Sequence, residues 1–238
     1  MIDLHNDAII CLSPKRFSKY IKRARKAGVE TILISVWTTE MQDPLQEIRK
    51  YKKMLSEGLL LHIEDAWFVT EDNIEELIEL QPFSVGLTWN KNNALAGGAY
   101  DDGGLTELGK FVVDKLIAAG IYIDLAHLNR RSFFEVPQKL LCTHTCFAEV
   151  HQHPRNLDRE QIQAIVDAGG IIGLTLVNEF LGGQGIHAHI KYFRDNFGEG
   201  NLAIGTDFFG TTDLPKGLRN YRSLKRHINK YDFQRTIK

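Results

Sequence analysis

A short apolar run followed by a charged segment of helical period recurs eight times along this chain, and few architectures accommodate that rhythm. The runs are Ile2 to Leu4, Thr31 to Val36, Leu59 to Ile63, Ser84 to Trp89, Ile121 to Leu125, Leu140 to Thr143, Ile171 to Leu176 and Leu202 to Gly205. Each has strand length, and several are rich in β-branched residues. Between them, Phe17 to Lys26, Pro44 to Ser56, Asn73 to Leu80, Thr106 to Ala119, Arg131 to Gln138, Asp158 to Ala168, Ile186 to Phe197 and Leu218 to Lys230 read as helices. Thr106 and Asp158 are natural helix openers, and Gly28, Gly58, Gly120 and the pair Gly169, Gly170 are natural closers.

Buried strands alternating with amphipathic helices imply parallel strands joined by right-handed crossovers. Eight such units in 238 residues match the length of a (β/α)8 TIM barrel. An open doubly wound sheet is the alternative, because strand order is invisible in sequence. The G-x-G-x-x-G fingerprint of dinucleotide binding is absent after the first strand. No Ser/Pro linker or low-complexity stretch interrupts the chain, so a single α/β barrel domain over residues 1–238 is expected. The segment Asn90 to Leu105, with four glycines, Tyr100 and the pair Asp101, Asp102, escapes the pattern and reads as a long loop at the barrel mouth.

Composition removes several function classes. Lys plus Arg total 29 against 30 Asp plus Glu, so no positive excess is available to grip a phosphate backbone, and nucleic acid is not an expected partner. No apolar run approaches the roughly 18 residues of a membrane helix. The chain opens on Asp3, His5 and Asp7 without a basic leader, and three cysteines are too few for a disulfide scaffold. The expected location is cytoplasmic.

The chemistry lies in where coordinating side chains fall. His5 and Asp7 end strand one, Glu64 follows strand three, His127 follows strand five, His144 ends strand six and Asp207 follows strand eight. In a barrel these strand ends converge on one rim. A lone histidine after a strand is ordinarily a hydrogen-bonded loop or core residue, and it is the coincidence of six groups at the same ends that points to metal. Nitrogen and carboxylate ligands suit zinc or a similar divalent ion. Six groups exceed one tetrahedral site, which suggests two ions sharing a carboxylate with a hydroxide between them. Glu64 is the best-placed bridge, with Asp65 its competitor. His5, Asp7 and Glu64 are then assigned to the first ion, and Glu64, His127 and His144 to the second. Asp207 is left to orient the water, take its proton or hold a substrate ammonium.

Other residues carry weaker signals. Cys142, His144 and Cys146 form a rival ligand set, but no second cysteine pair completes it. Cys142 reads as a small buried hydrophobe. Arg155, after His151, His153 and Pro154, fits either a forked contact to a substrate carboxylate or a solvated loop position. His187 and His189 suggest surface or supporting roles. Trp, Phe and Leu residues at loop tips suit a homodimer interface as well as a pocket lining.

At these residues the chain resembles the membrane dipeptidase (renal dipeptidase) family of zinc amidohydrolases, peptidase family M19. The stretches that carry the resemblance are DLHND at Asp3 to Asp7, IE at Ile63 and Glu64, LTWNKNNALAGG at Leu87 to Gly98 and GLTELG at Gly104 to Gly109. DLAH at Asp124 to His127, THT at Thr143 to Thr145, HPRNL at His153 to Leu157 and IGTDFFG at Ile204 to Gly210 complete it, so it covers nearly the whole chain in order. It implies a metallo-dependent hydrolase barrel with two bridged zinc ions that cleaves dipeptides and tolerates a D-residue at the carboxyl end. By the resemblance, His5 and Asp7 hold one zinc, Glu64 bridges, and His127 and His144 hold the other. Arg155 would bind the substrate carboxylate, and Asp207 its amino group. In two respects the chain departs from better-known members: Trp89 stands where they carry a histidine that stabilises the oxyanion, and the loops after strands seven and eight are shorter. Trp89 then becomes a substrate-cleft residue. The expected activity is hydrolysis of small dipeptides. A metal-dependent phosphoesterase and a catalytically degenerate, ligand-binding barrel are the rivals.

Overall fold

The computed structural model describes residues 1–228 together with Tyr231 and Phe233. Eight parallel strands close into a barrel in sequence order: β1 (Ile2–Asn6), β2 (Thr31–Trp37), β3 (Leu59–Glu64), β4 (Ser84–Gly86), β5 (Tyr122–Asp124), β6 (Leu141–Thr145), β7 (Ile171–Leu174) and β8 (Leu202–Ile204). β1 pairs with β8 through Asp3 and Ile204, which rules out the open sheet. The helices are α1 (Ala8–Cys11), α2 (Pro14–Lys26), α3 (Pro44–Lys52), α4 (Ile74–Glu79), α5 (Glu107–Ala118), α6 (Arg130–Glu135), α7 (Arg159–Asp167), α8 (Asn178–Leu181), α9 (Gly185–Phe197) and α10 (Tyr221–Ile228).

The boundaries follow from local chemistry. Thr106 Oγ1 accepts from Gly109 N at the start of α5, and Asp158 with Gln161 forms a reciprocal capping box on α7, each worth about 1 kcal/mol. β4 stops at Gly86 rather than reaching Trp89, because the Leu87 carbonyl is taken by the Asn93 side-chain amide. α6 ends at Glu135 because Val136, extended at ψ 124°, precedes Pro137. α10 starts at Tyr221, where Asn220 Oδ1 accepts from Ser223 N. The last two residues of the expected final helix, Asn229 and Lys230, lie outside the described residues.

Two apolar groups fill the structure. One, which includes Ile34, Val36, Leu116, Ile165, Phe193 and Leu224, packs the strands against the helices. A smaller one, Ile2, Leu4, Leu33, Leu141, Ile171 and Ala203, plugs the barrel floor. Above this plug the interior turns polar, with His62, Ser84, Asp124 and Thr143 all buried. The wet chemistry is therefore confined to the upper end, where the strands terminate.

Candidate functional site

Two irregularities in the ladder aim the histidines. The pairing of β1 with β2 shifts register between Asp3 and Asn6, and that of β6 with β7 shifts between Cys142 and Thr145. Asp3 and Asn6 face outward, where both bond Tyr221 of α10. The shift lets Leu4 join the floor plug and His5 also point inward. Likewise Thr143 and His144 both face the interior, within hydrogen-bond reach of each other. Such bulges re-aim side chains beside active sites.

Backbone strain marks the same rim. Asp65 after β3, Asn90 after β4, His127 after β5, and Asp207 and Phe209 after β8 have φ between 56° and 76°. A left-handed conformation at a non-glycine residue costs on the order of 1 kcal/mol or more and persists where the surroundings enforce it.

The six rim residues expected to meet do so. His5 and His144 have ring centroids 3.8 Å apart, well inside the reach of a shared carboxylate. His5 Nε2 lies 3.4 Å from Asp7 Oδ2, 3.6 Å from Glu64 Oε2 and 4.0 Å from Asp207 Oδ1. The other Glu64 oxygen, Oε1, lies 2.9 Å from His127 Nε2 and 3.8 Å from His144 Nε2. Among the described residues, His5, Glu64 and His144 form one candidate metal-holding group, and His5, Asp7 and Asp207 form another. Asp207 thus stands among the possible ligands rather than apart from them.

The electrostatics are those of a site built for cations. Burial alone would drive protons onto its carboxylates, yet His5 and His127 hold Glu64 well below the usual carboxylate range. Burial also disfavours the His5 imidazolium, but Glu64 and Asp7 outweigh it and raise its proton affinity. Asp207 is pushed well above the ordinary range by burial and by Asp7. Burial and the Arg155 guanidinium lower His127 to about 4. Asp7 Oδ2 is buried and makes no hydrogen bond, while His127 Nε2 and His144 Nε2 stand 3.0 Å apart. Two imidazole nitrogens that close repel unless a proton or a cation lies with them. A nitrogen and carboxylate set of this kind fits zinc and its neighbours.

A cleft of about 450 Å3 opens over this group, walled by Trp37, Trp89, Tyr100, Phe180 and Phe209 with Glu179 at its edge. Trp89 is 40% exposed, and its ring lies 6.1 Å from that of His127. Arg155 is not a solvated loop residue. It is 4% exposed, Nε donates to His127 Nδ1 at 3.0 Å, Nη2 lies 2.9 Å from His144 Nε2, and Nη1 is buried without a hydrogen-bond partner.

Other expectations are corrected or narrowed. Asp65 does not compete with Glu64, because Thr39 and Asn93 hold its carboxylate. Cys142 is buried as expected, and the Cys146 thiol faces the Thr175 carbonyl, away from the ligand groups. His153 reaches toward Glu179 at 3.3 Å. His189 is not a surface residue: it is fully buried, accepting from Phe147 N at Nδ1 with Nε2 3.0 Å from Leu181 O. Missed from sequence were Ser35 Oγ donating to Glu64 Oε2 and the Asp124–Thr143 pair, as well as Asn90, whose acceptor Oδ1 lies 2.9 Å from His127 Nδ1 and competes with the Arg155 Nε donor for that nitrogen. Asp124 and Thr143 stand inside the quoted DLAH and THT stretches, which is the only signal that marked them.

A closed barrel whose rim gathers histidines and carboxylates is of the metallo-dependent hydrolase type. Residues 60–231 match the membrane dipeptidase family (peptidase family M19), and the chain belongs to that family. A Klebsiella pneumoniae protein described only as uncharacterized, in the pqqA 5′ region, is 33% identical over 168 residues, which are 61% of this chain and 62% of that one. The chain spans between 31% and 62% of the lengths of the curated relatives it matches. Among solved structures, a Rhodobacter sphaeroides metallopeptidase liganded with a phosphinate mimic of L-Ala-D-Ala superposes with a TM-score of 0.80 at 19% identity, over 97% of this chain and 93% of that one. A Pseudomonas aeruginosa amidohydrolase gives 0.76 at 22% identity, over 93% and 85%. Among the described residues no helix is long and apolar enough to cross a membrane.

Proposed function

We propose that this chain is a metal-dependent dipeptidase acting as one catalytic domain, with two divalent ions, zinc being the natural choice, shared across Glu64. The observation that carries the reading is that the two oxygens of Glu64 have different imidazole neighbours, His5 at Oε2 and His127 with His144 at Oε1. Asp7 completes the first set. Ions held by these residues would supply an activated water at neutral pH and polarise the carbonyl under attack.

The chain's own residues do the rest. Burial raises the proton affinity of Asp207; ionised beside the cations, its carboxylate would accept the proton of the attacking water and return it to the departing amine. Arg155 keeps an unpaired Nη1 donor and takes the terminal carboxylate of the substrate through that nitrogen. The aromatic walls shed water from a cleft sized for a small dipeptide. Trp89 has one N–H donor and no titratable nitrogen, so it serves as a wall and a hydrogen-bond donor rather than an acid. The phosphinate dipeptide mimic bound by the Rhodobacter relative supports a substrate of that size, with a D-residue allowed at the carboxyl end.

The test is amino-acid release from L,L and L,D dipeptides by the zinc-loaded protein, with a phosphate monoester in parallel. Release that stops on chelation and returns with zinc is expected. A fully loaded protein that cleaves no dipeptide, or turns over only the phosphate ester, overturns the assignment.

A further inference from the structure

Thr143 contacts no group expected to touch substrate, yet its hydroxyl stands behind two of the candidate metal ligands. Its Oγ1 lies 2.6 Å from Asp124 Oδ2, 2.9 Å from His144 Nδ1 and 3.3 Å from His5 Nδ1. All four residues are buried, so water does not complete the pattern. A hydroxyl has one proton to give and two lone pairs to receive with.

The direction of each bond then follows by elimination. Asp124 accepts two backbone N–H groups at Oδ1, from Thr143 and Ala126, and its Oδ2 takes the hydroxyl proton at the shortest of the three distances. With that proton spent, Thr143 meets both imidazoles only as an acceptor. Each must present an N–H at Nδ1, which leaves Nε2 as the atom turned toward Glu64, Asp7 and Asp207. An independent contact agrees at His144: Arg155 Nη2, which can only donate, lies 2.9 Å from Nε2, so that nitrogen carries a lone pair, which Arg155 must release when an ion takes it.

We propose that Thr143, braced by Asp124, is the positioning residue that fixes the tautomer of one ligand on each ion, His5 on the first and His144 on the second. The inference rests on the two-ion reading above. It makes one side chain, in contact with neither ion, govern both sites together. Hydrogen-bond partners behind a metal-bound histidine set which nitrogen ligates, and their loss typically weakens metal binding about 10- to 100-fold.

The experiment uses the zinc-loaded protein labelled with 15N at histidine. Long-range proton–nitrogen correlation spectra are expected to show His5 and His144 protonated at Nδ1 and ligating through Nε2. The same spectra with either ring reversed overturn the proposal without any variant. Chelator competition then compares substitutions. Thr143→Val is expected to weaken both ions about 10- to 100-fold, and Thr143→Ser to restore affinity to within about threefold of the parent, a rescue that loss of packing alone does not give. A folded Thr143→Val protein, verified by circular dichroism, that holds both ions as tightly as the parent refutes the role. If the parent itself binds no zinc, the two-ion reading fails and the inference with it; that outcome is distinct from a parent that binds and a variant that does not care.

Discussion

Replacing Glu64 with Gln keeps the shape of the side chain and removes its charge, which isolates what the carboxylate does. Glu64 is 5% exposed and faces three imidazole nitrogens at 2.9, 3.6 and 3.8 Å. Removing one partner from a buried set of charges costs about 3–5 kcal/mol. Because one oxygen faces His5 and the other faces His127 and His144, the loss divides between two ions. At about 1.4 kcal/mol per factor of ten, half of it weakens each by roughly 10- to 60-fold. The assay is competition against a chromophoric chelator, with the metal counted per chain by elemental analysis. The expected result is a fall at both sites. Two ions bound with affinity within about threefold of the parent would refute the reasoning, and a fall at one site alone would make Glu64 a terminal ligand rather than a bridge.

Arg155→Met is expected to leave the metal count unchanged and to lower kcat/KM on free dipeptides about 10- to 100-fold, the scale of a lost charge-assisted hydrogen bond; the penalty should vanish on dipeptide amides, and one of equal size there would detach Arg155 from the carboxylate. Burial holds His62 at about 4 in the folded protein, whereas the unfolded chain takes its proton near 6.5. Its contribution is therefore complete above pH 6.5 and fades as pH falls toward 4, about 3 kcal/mol at 1.36 kcal/mol per unit. Urea unfolding of metal-free His62→Gln should show a correspondingly flatter pH dependence, and an unchanged slope would count against this. An added Cβ at Gly173 would sit 1.9 Å from the Thr143 carbonyl, a backbone atom that cannot swing away, while Gly183 has nothing within 4 Å. Gly173→Ala should cost about 3 kcal/mol or more, against less than about 0.5 kcal/mol for Gly183→Ala, both read from denaturant midpoints; equal midpoints would contradict the close strand packing.

The barrel was legible because fully buried parallel strands need unbroken apolar runs, and each of the eight runs contains or overlaps a strand. Elements without a periodic signal were not. α1 and α8 have four residues each, too few to display a helical period, and their existence depends on loop packing. The rim cluster was readable since its residue types are costly to bury without partners and they recur at strand ends. The register shifts that aim His5 and His144 left no trace, because a bulge depends on how two strands pair and not on either sequence alone. For His189 the sequence left surface and supporting roles open, and contacts with Phe147 and Leu181, which its own segment does not reveal, decide for the second. Beyond the DLAH and THT stretches nothing set Asp124 and Thr143 apart, because their role lies in a bond between neighbouring strands.

The ring of strands is shut by a thin seam, one registered pair between the first strand and the last, tied by Asp3 to Thr206 and Tyr221. His5 comes from one side of that seam and Asp207 from the other, and they meet 4.0 Å apart. A growing chain therefore carries most of these rim side chains long before they share a pocket. A cation gripping His5, Asp7 and Asp207 together would act as a clasp across the joint. The supply of metal in the cell would then set how much of the protein stays closed, as well as how fast it turns over.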